Sequence, residues 1–200
     1  MSGKRSKLRP PRALLLDMDG TLTEPMLDFA QIRAEMGIGD EPILEAMIRL
    51  EARHLARARR VLHRHENHAA NQSTLSRGCR PLLAWLDRRN IRTALITRNS
   101  RRCARIVLRL HGLELDAVVS RDDGPFKPDP ESVFLACRKL GVEPGDVWLV
   151  GDGSHDVEAG NAAGVRTVWL SLGRRKYFAA EPWKKVRDLV ALLRLLRSCH

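Results

Sequence analysis

A doubly wound parallel α/β sheet of about five strands, carrying one small all-α insertion, is the fold class that this 200-residue sequence predicts. Three observations lead there. Short apolar runs alternate with helix-length segments, the mark of a parallel sheet with its crossovers. Each apolar run stops at a polar cluster, where the carboxyl ends of parallel strands meet a ligand crevice. Between residues 24 and 78 the alternation lapses into helical patterns alone, which marks an insertion into the sheet.

In chain order, the opening residues MSGKRSKLRPPR are basic and broken by prolines, so 1–11 is expected to be a mobile basic tail. The apolar run at 13–17 is the first strand; it is too short for a signal sequence or a membrane span. The insertion, 24–78, holds helical patterns at 28–36 and at 41 to about 71, rich in arginine and histidine. The core is therefore 12–23 together with 79–200. Pro81 opens a helix over 82–89, a second strand is expected at 92–97, and Ser100 can cap a helix over 101–111 that Gly112 stops. The third strand is 117–120. Asp129 and Pro130 fit an N-cap and a first helical position before 131–140, which Gly141 closes. Strands at 147–151 and 166–170 follow, and 183–196 reads as a basic amphipathic helix packed on its own sheet.

Composition narrows the partners. The chain is 44% hydrophobic and 30% charged with a formal net charge of +11, mostly from arginine. A basic balance favours nucleic acid through counterion release. Only one tyrosine and four phenylalanines are present, however, and they do not interleave with basic residues as a base-stacking surface requires. Neither nucleic acid nor a membrane is the expected partner, and the charge instead suits small anionic metabolites through steering. Cys79, Cys103, Cys137 and Cys199 stand far apart without metal-ligand spacing, which fits reduced thiols and a cytoplasmic location. Oligomeric state is left open.

On this sheet the polar clusters converge at one edge. Asp17 and Asp19 follow the first strand, Thr97 ends the second with Arg98 and Asn99 directly after it, Lys127 lies beyond the third, and Asp152 and Asp156 follow the fourth. Two carboxylates two residues apart face the same side of an extended segment, and their repulsion is tolerable only beside a cation. Asp152 and Asp156 add oxygen ligands, a donor set that suits Mg²⁺ better than zinc. Thr97 precedes a helix start, where unpaired amide groups make an anion site. Lys127, kept extended by Pro128, is free to reach an anion. Arg98 and Asn99 are candidates for substrate contact because their strand-end position already lies in the crevice.

Taken in this order, the residues resemble the haloacid dehalogenase-like superfamily, and in particular its phosphoglycolate phosphatase-like members with a small helical cap inserted after the first motif. The match comprises DMDGTLT at 17–23, the LITRN segment that contains Thr97, Lys127 within FKPDP, and GDGSHD at 151–156, and it spans about 12–172. The resemblance implies a Rossmann-like core and a Mg²⁺-dependent phosphatase that hydrolyses a small phosphorylated metabolite through an aspartyl-phosphate. It would make Asp17 the nucleophile and Asp19 the general acid and then base. Thr97 and Lys127 would hold the phosphoryl group, and Lys127 would also neutralise Asp17. Mg²⁺ would be held by Asp17, the backbone carbonyl of Asp19 and Asp152, with Asp156 as a further or water-mediated ligand. The reaction needs the whole set: phosphate-monoester hydrolysis requires acceleration of up to about 10²¹-fold, roughly 28 kcal/mol, whereas a general acid supplies only about 10² to 10⁴.

Other activities of the same superfamily are tested by single residues. Dehalogenases lack the second aspartate, so Asp19 argues against them. Phosphonate-cleaving relatives use a cap lysine, and residues 24–78 contain none. A sugar phosphomutase keeps the same core and remains an alternative, as does a binding or regulatory protein contacting nucleic acid or an acidic partner, against which the intact catalytic set argues. In the insertion His63, His65, His68 and Glu66 suggest a metal at first sight. HENH is not the HExxH pattern that aligns two histidines around a zinc, so a solvated helix is expected. Hinges near 24–27 and 76–81 would let the insertion swing over the crevice.

Overall fold

The computed structural model describes residues 8–199. Its sheet has six parallel strands, one more than the sequence predicts: β1 (Ala13–Leu16), β2 (Arg92–Ile96), β3 (Ala117–Val119), β4 (Val147–Gly151), β5 (Arg166–Leu170) and β6 (Lys184–Val186), in the spatial order β3-β2-β1-β4-β5-β6. The central strands are apolar on both faces because helices cover both, as in parallel sheets generally; every residue of β1 is buried. Leu16 lies level with Leu95 on one side and Val150 on the other. That register brings the residues following β1, β2 and β4 to one edge.

Between β1 and the core helices stand α1 (Phe29–Met36), α2 (Ile43–Ile48) and α3 (Ala52–Gln72). The helix expected from 41 to about 71 is thus two, bent at 49–51, and the bend folds Ile43 and Met47 back onto Ala58, Val61 and Leu62. This inserted segment has its own apolar cluster, completed by Ile32 and Met36 of α1. Its two connections run side by side: the Glu24 amide donates to the Thr74 carbonyl at 2.9 Å, and that of Ser76 to the Leu22 carbonyl at 2.9 Å.

The core continues with α4 (Cys79–Arg88), α5 (Arg101–His111), α6 (Glu131–Leu140), α7 (Ser154–Ala162) and α8 (Leu189–Arg197). Leu82, Leu86, Val107 and Leu192 cover one face of the sheet with Leu14 and Leu16, while Val133, Ala136 and Ala159 cover the other with Leu15 and Leu149. Ser100 caps α5 through the Cys103 amide, as expected. Helix α4 begins at Cys79, two residues before Pro81, and the residue preceding α6 is Pro130, with Asp129 accepting from the Glu131 amide at 2.8 Å instead. The expected helix over 183–196 begins only at Leu189, because Lys184, Lys185 and Val186 pair with Val168, Trp169 and Leu170 as the edge strand. Of the expected mobile tail, residues 1–7 lie outside the described residues; Leu8 packs against the core.

Candidate active site

The turn after β1 is wound tightly. The Gly20 amide donates to the Thr23 carbonyl at 2.8 Å, and the Thr21 and Thr23 amides both donate to the Met18 carbonyl, at 3.2 and 3.0 Å. Gly20 has φ 77°, and a Cβ on it would stand 2.4 Å from Oδ2 of Asp152. Only glycine combines that backbone with so close an approach. Gly151 is a second such point, since a Cβ there would meet Cγ of Asp156 at 2.1 Å. Asp152 is thereby drawn in against the turn after β1, and Asp156, in the first turn of the helix that follows, against the end of β4.

One lysine stands at the centre. Lys127, 1% exposed, donates from Nζ to Asp17 Oδ1 and Asp156 Oδ1 at 2.6 Å each and to the Ile96 carbonyl at 2.7 Å. All three of its protons are used. Burial opposes its charge, but Asp156 and Asp17 more than offset it, so its pKa lies above the usual lysine value. Carboxylate oxygens of Asp17, Asp152 and Asp156 lie within 4.8 Å of one another. The Asp17 pKa stands well above the usual carboxylate range because of burial, which Lys127 opposes and the charges of Asp156 and Asp152 reinforce. Asp156 also accepts from the Gly153 amide at 3.0 Å, and Arg174 reaches Oδ2 of Asp152 at 2.6 Å. An all-oxygen set with negative charge in excess of Lys127, closed in by two glycines, fits a hard divalent cation.

Asp19 is held separately. Its carboxylate accepts from Nδ2 of Asn99, and burial raises its pKa to about 6 against that hydrogen bond, with Glu66 and Asp152 adding to the rise. Thr97, 3% exposed, accepts the Asn99 amide on Oγ1 at 3.1 Å, which leaves its hydroxyl proton to donate. Asp19, Asn99 and Thr97 thus form one hydrogen-bonded set, beside the set of Asp17, Lys127, Asp152 and Asp156, whose charges act on Asp19 through Asp152 and Lys127. Arg98 turns instead toward the insertion, where Glu45 of α2 takes both prongs of its guanidinium at 2.9 and 2.7 Å.

The sequence groups Glu66 with the insertion's histidines, whereas in the structure its partner is an arginine of the core that the sequence does not single out. Glu66 of α3 pairs with both Nη atoms of Arg121, and Arg121 Nη1 donates to the Arg98 carbonyl at 3.0 Å. Burial keeps the Glu66 pKa above its usual value in spite of that partner. A signal was present: Glu66 is the lone acidic residue of α3, and it falls on the buried stripe with Ala58, Leu62 and Ala69. His155, next to the Asp156 cluster, has its pKa lowered to about 4 by burial and then by Arg98, so it is neutral at neutral pH. The insertion's histidines do not converge: His63 and His68 are exposed, and His65 lies 3.1 Å from Oε2 of Glu35. Among the described residues no helix is long and apolar enough to cross a membrane.

The fold and the carboxylate edge define a doubly wound α/β protein whose acidic crevice lies at the carboxyl ends of its strands. The family model described as haloacid dehalogenase-like hydrolase matches residues 11–164, and the chain belongs to that family. It is 32% identical over 186 residues to an N-acetylmuramic acid 6-phosphate phosphatase from Pseudomonas putida, covering 81% of this chain and 83% of that one. It is 31% identical over 192 residues to a plasmid phosphoglycolate phosphatase from Cupriavidus necator, covering 82% of each. Among solved structures, a hydrolase from Pseudomonas syringae shares the fold with a TM-score of 0.77 at 22% identity, over 92% of this chain and 97% of that one.

Proposed function

We propose that this protein is a Mg²⁺-dependent phosphatase that hydrolyses a small phosphomonoester through an aspartyl-phosphate on Asp17. The observation that carries the reading is the arrangement around Lys127, which touches Asp17 and Asp156 at 2.6 Å each while Asp17, Asp152 and Asp156 stand close enough to share one cation. Asp17, Asp152, Asp156 and the Asp19 carbonyl would hold the Mg²⁺. When bound, the metal offsets the negative charge of these carboxylates and of the phosphoryl group.

A carboxylate oxygen of Asp17 attacks phosphorus, and the phosphorus–ester oxygen bond breaks. The departing oxygen takes the proton of Asp19, whose pKa of about 6 keeps an appreciable fraction protonated near neutral pH. Asp19, now ionised, removes a proton from water as that water attacks phosphorus, which frees Asp17 and inorganic phosphate. The Thr97 hydroxyl donates to a phosphoryl oxygen, the charge of Lys127 offsets that of Asp17 and of the phosphoryl group, and Asn99 keeps Asp19 in place. Residues 24–78 form a cap over this edge and exclude water from it. The phosphatase names of the relatives support the reaction type and a small phosphorylated substrate. The test is phosphate release from 4-nitrophenyl phosphate, which is expected with Mg²⁺ and absent in excess chelator. Full turnover in chelator would overturn the reading.

A further inference from the structure

Arg98 enters the crevice directly after Thr97, yet its guanidinium already holds a carboxylate. Nη1 and Nη2 donate to Oε1 and Oε2 of Glu45 at 2.9 and 2.7 Å, the two-pronged geometry in which arginine binds a planar carboxylate. Nη1 also donates to the Lys127 carbonyl at 2.5 Å, and the Phe126 ring lies 5.1 Å from the guanidinium carbon. Core loops therefore aim the fork, and the insertion fills it.

The insertion's other clasp differs in its access to water. In the Glu66–Arg121 pair the side chains are 4% and 18% exposed; in the Glu45–Arg98 pair they are 32% and 21% exposed. A solvated ion pair contributes less and parts more readily than a buried one. The α2 end is thus the end that lets go. Once Glu45 has left, Phe126 and the Lys127 carbonyl still orient Arg98, which follows Thr97 directly and is joined through that carbonyl to the residue whose ammonium touches Asp17.

We infer that Glu45 is an internal stand-in for a carboxylate of the substrate. A phosphoester that also bears a carboxylate displaces Glu45 from Arg98, whereas an ester without one leaves the pair closed. Glu45 is then a specificity-determining residue, which withholds the second subsite from ligands that cannot compete for it. This rests on the phosphatase reading, because it places the phosphoryl end of the ligand at Asp17.

The test is calorimetric binding in Mg²⁺ of methylphosphonate and of two carboxylated phosphonates, phosphonoacetate and 3-phosphonopropionate, to the wild type, Glu45→Gln and Arg98→Gln. Glu45→Gln is expected to tighten at least one carboxylated ligand by about 10-fold relative to methylphosphonate, the scale of one charged hydrogen-bonded competitor. Arg98→Gln is expected to erase the preference for carboxylated ligands. Equal changes for all three ligands in Glu45→Gln, or a preference that survives Arg98→Gln, overturn the inference. Glu45→Ala repeats the comparison without an amide that still reaches Arg98. Turnover of 4-nitrophenyl phosphate by the wild type separates the two failures: its absence removes the phosphatase reading, while turnover with unaltered ligand ratios removes the role of Glu45 alone.

Discussion

In the core, Asp17, Asp152 and Asp156 crowd about Lys127, with Arg174 reaching Asp152 from the loop after β5; in the insertion, Glu45 and Glu66 each meet one arginine fork and their charges cancel. The core's arrangement is costly as it stands. Burial and mutual repulsion push the pKa values of Asp17, Asp19 and Asp152 upward, a cost that a bound cation would relieve. The insertion's pairs are balanced ties that hold one part of the chain against another. Excess charge marks where chemistry is expected, and balanced charge marks attachment.

The largest expected effect lies on the core side. Asp17→Asn replaces the attacking oxygen by an amide, and steady-state turnover of 4-nitrophenyl phosphate should fall by about 10³-fold or more. A fall of less than about tenfold would show that Asp17 is not the nucleophile. On the insertion side, Glu66→Ala leaves Arg121 without its fork and should cost about 3 kcal/mol in urea unfolding, in the range for breaking a buried ion pair. The refolded variant should still turn over the small aryl ester, because Glu66 donates nothing to the reaction. Loss of all turnover in a folded Glu66→Ala protein would erase the distinction between the two regions.

A smaller effect sharpens the same contrast through pH. The Asp19 pKa is raised in the folded protein to about 6, so the folded state binds its proton more tightly than the unfolded chain does. The associated stability is full below the unfolded value near 4 and is lost as pH rises to about 6. In metal-free protein, Asp19→Asn should therefore gain about 2 kcal/mol relative to wild type on going from pH 4 to pH 7. Parallel stability profiles for the two proteins would mean that burial does not load Asp19 as described.

Much of the site was legible because each of its residues is tied to a strand end. Asp17, Thr97 and Asp152 follow short buried runs, and the parallel register alone brings them level. What escaped the sequence was of two kinds. Glu45, Arg121 and Arg174 are charged residues in a chain that is 30% charged, and only tertiary packing selects them, of the insertion on the core for Glu45 and Arg121 and within the core for Arg174. The sequence groups Glu66 with its neighbouring histidines rather than with Arg121. Strand β6 is three residues long with two lysines, so neither length nor alternation distinguishes it from the start of a helix.

That edge strand has a consequence for how copies of the protein meet. A sheet ending in an unpaired strand is a template for another chain, and sheets joined edge to edge grow without limit. Here Lys184 and Lys185 stand on the outermost strand, with their ammonium groups 5.6 and 4.8 Å from the rings of Trp183 and Trp169. The lysine stems shield the aromatic faces that would make the edge adhesive, and a second copy approaching in register brings like charge against like. Solubility at this rim is thus written into the same two residues that hid the strand.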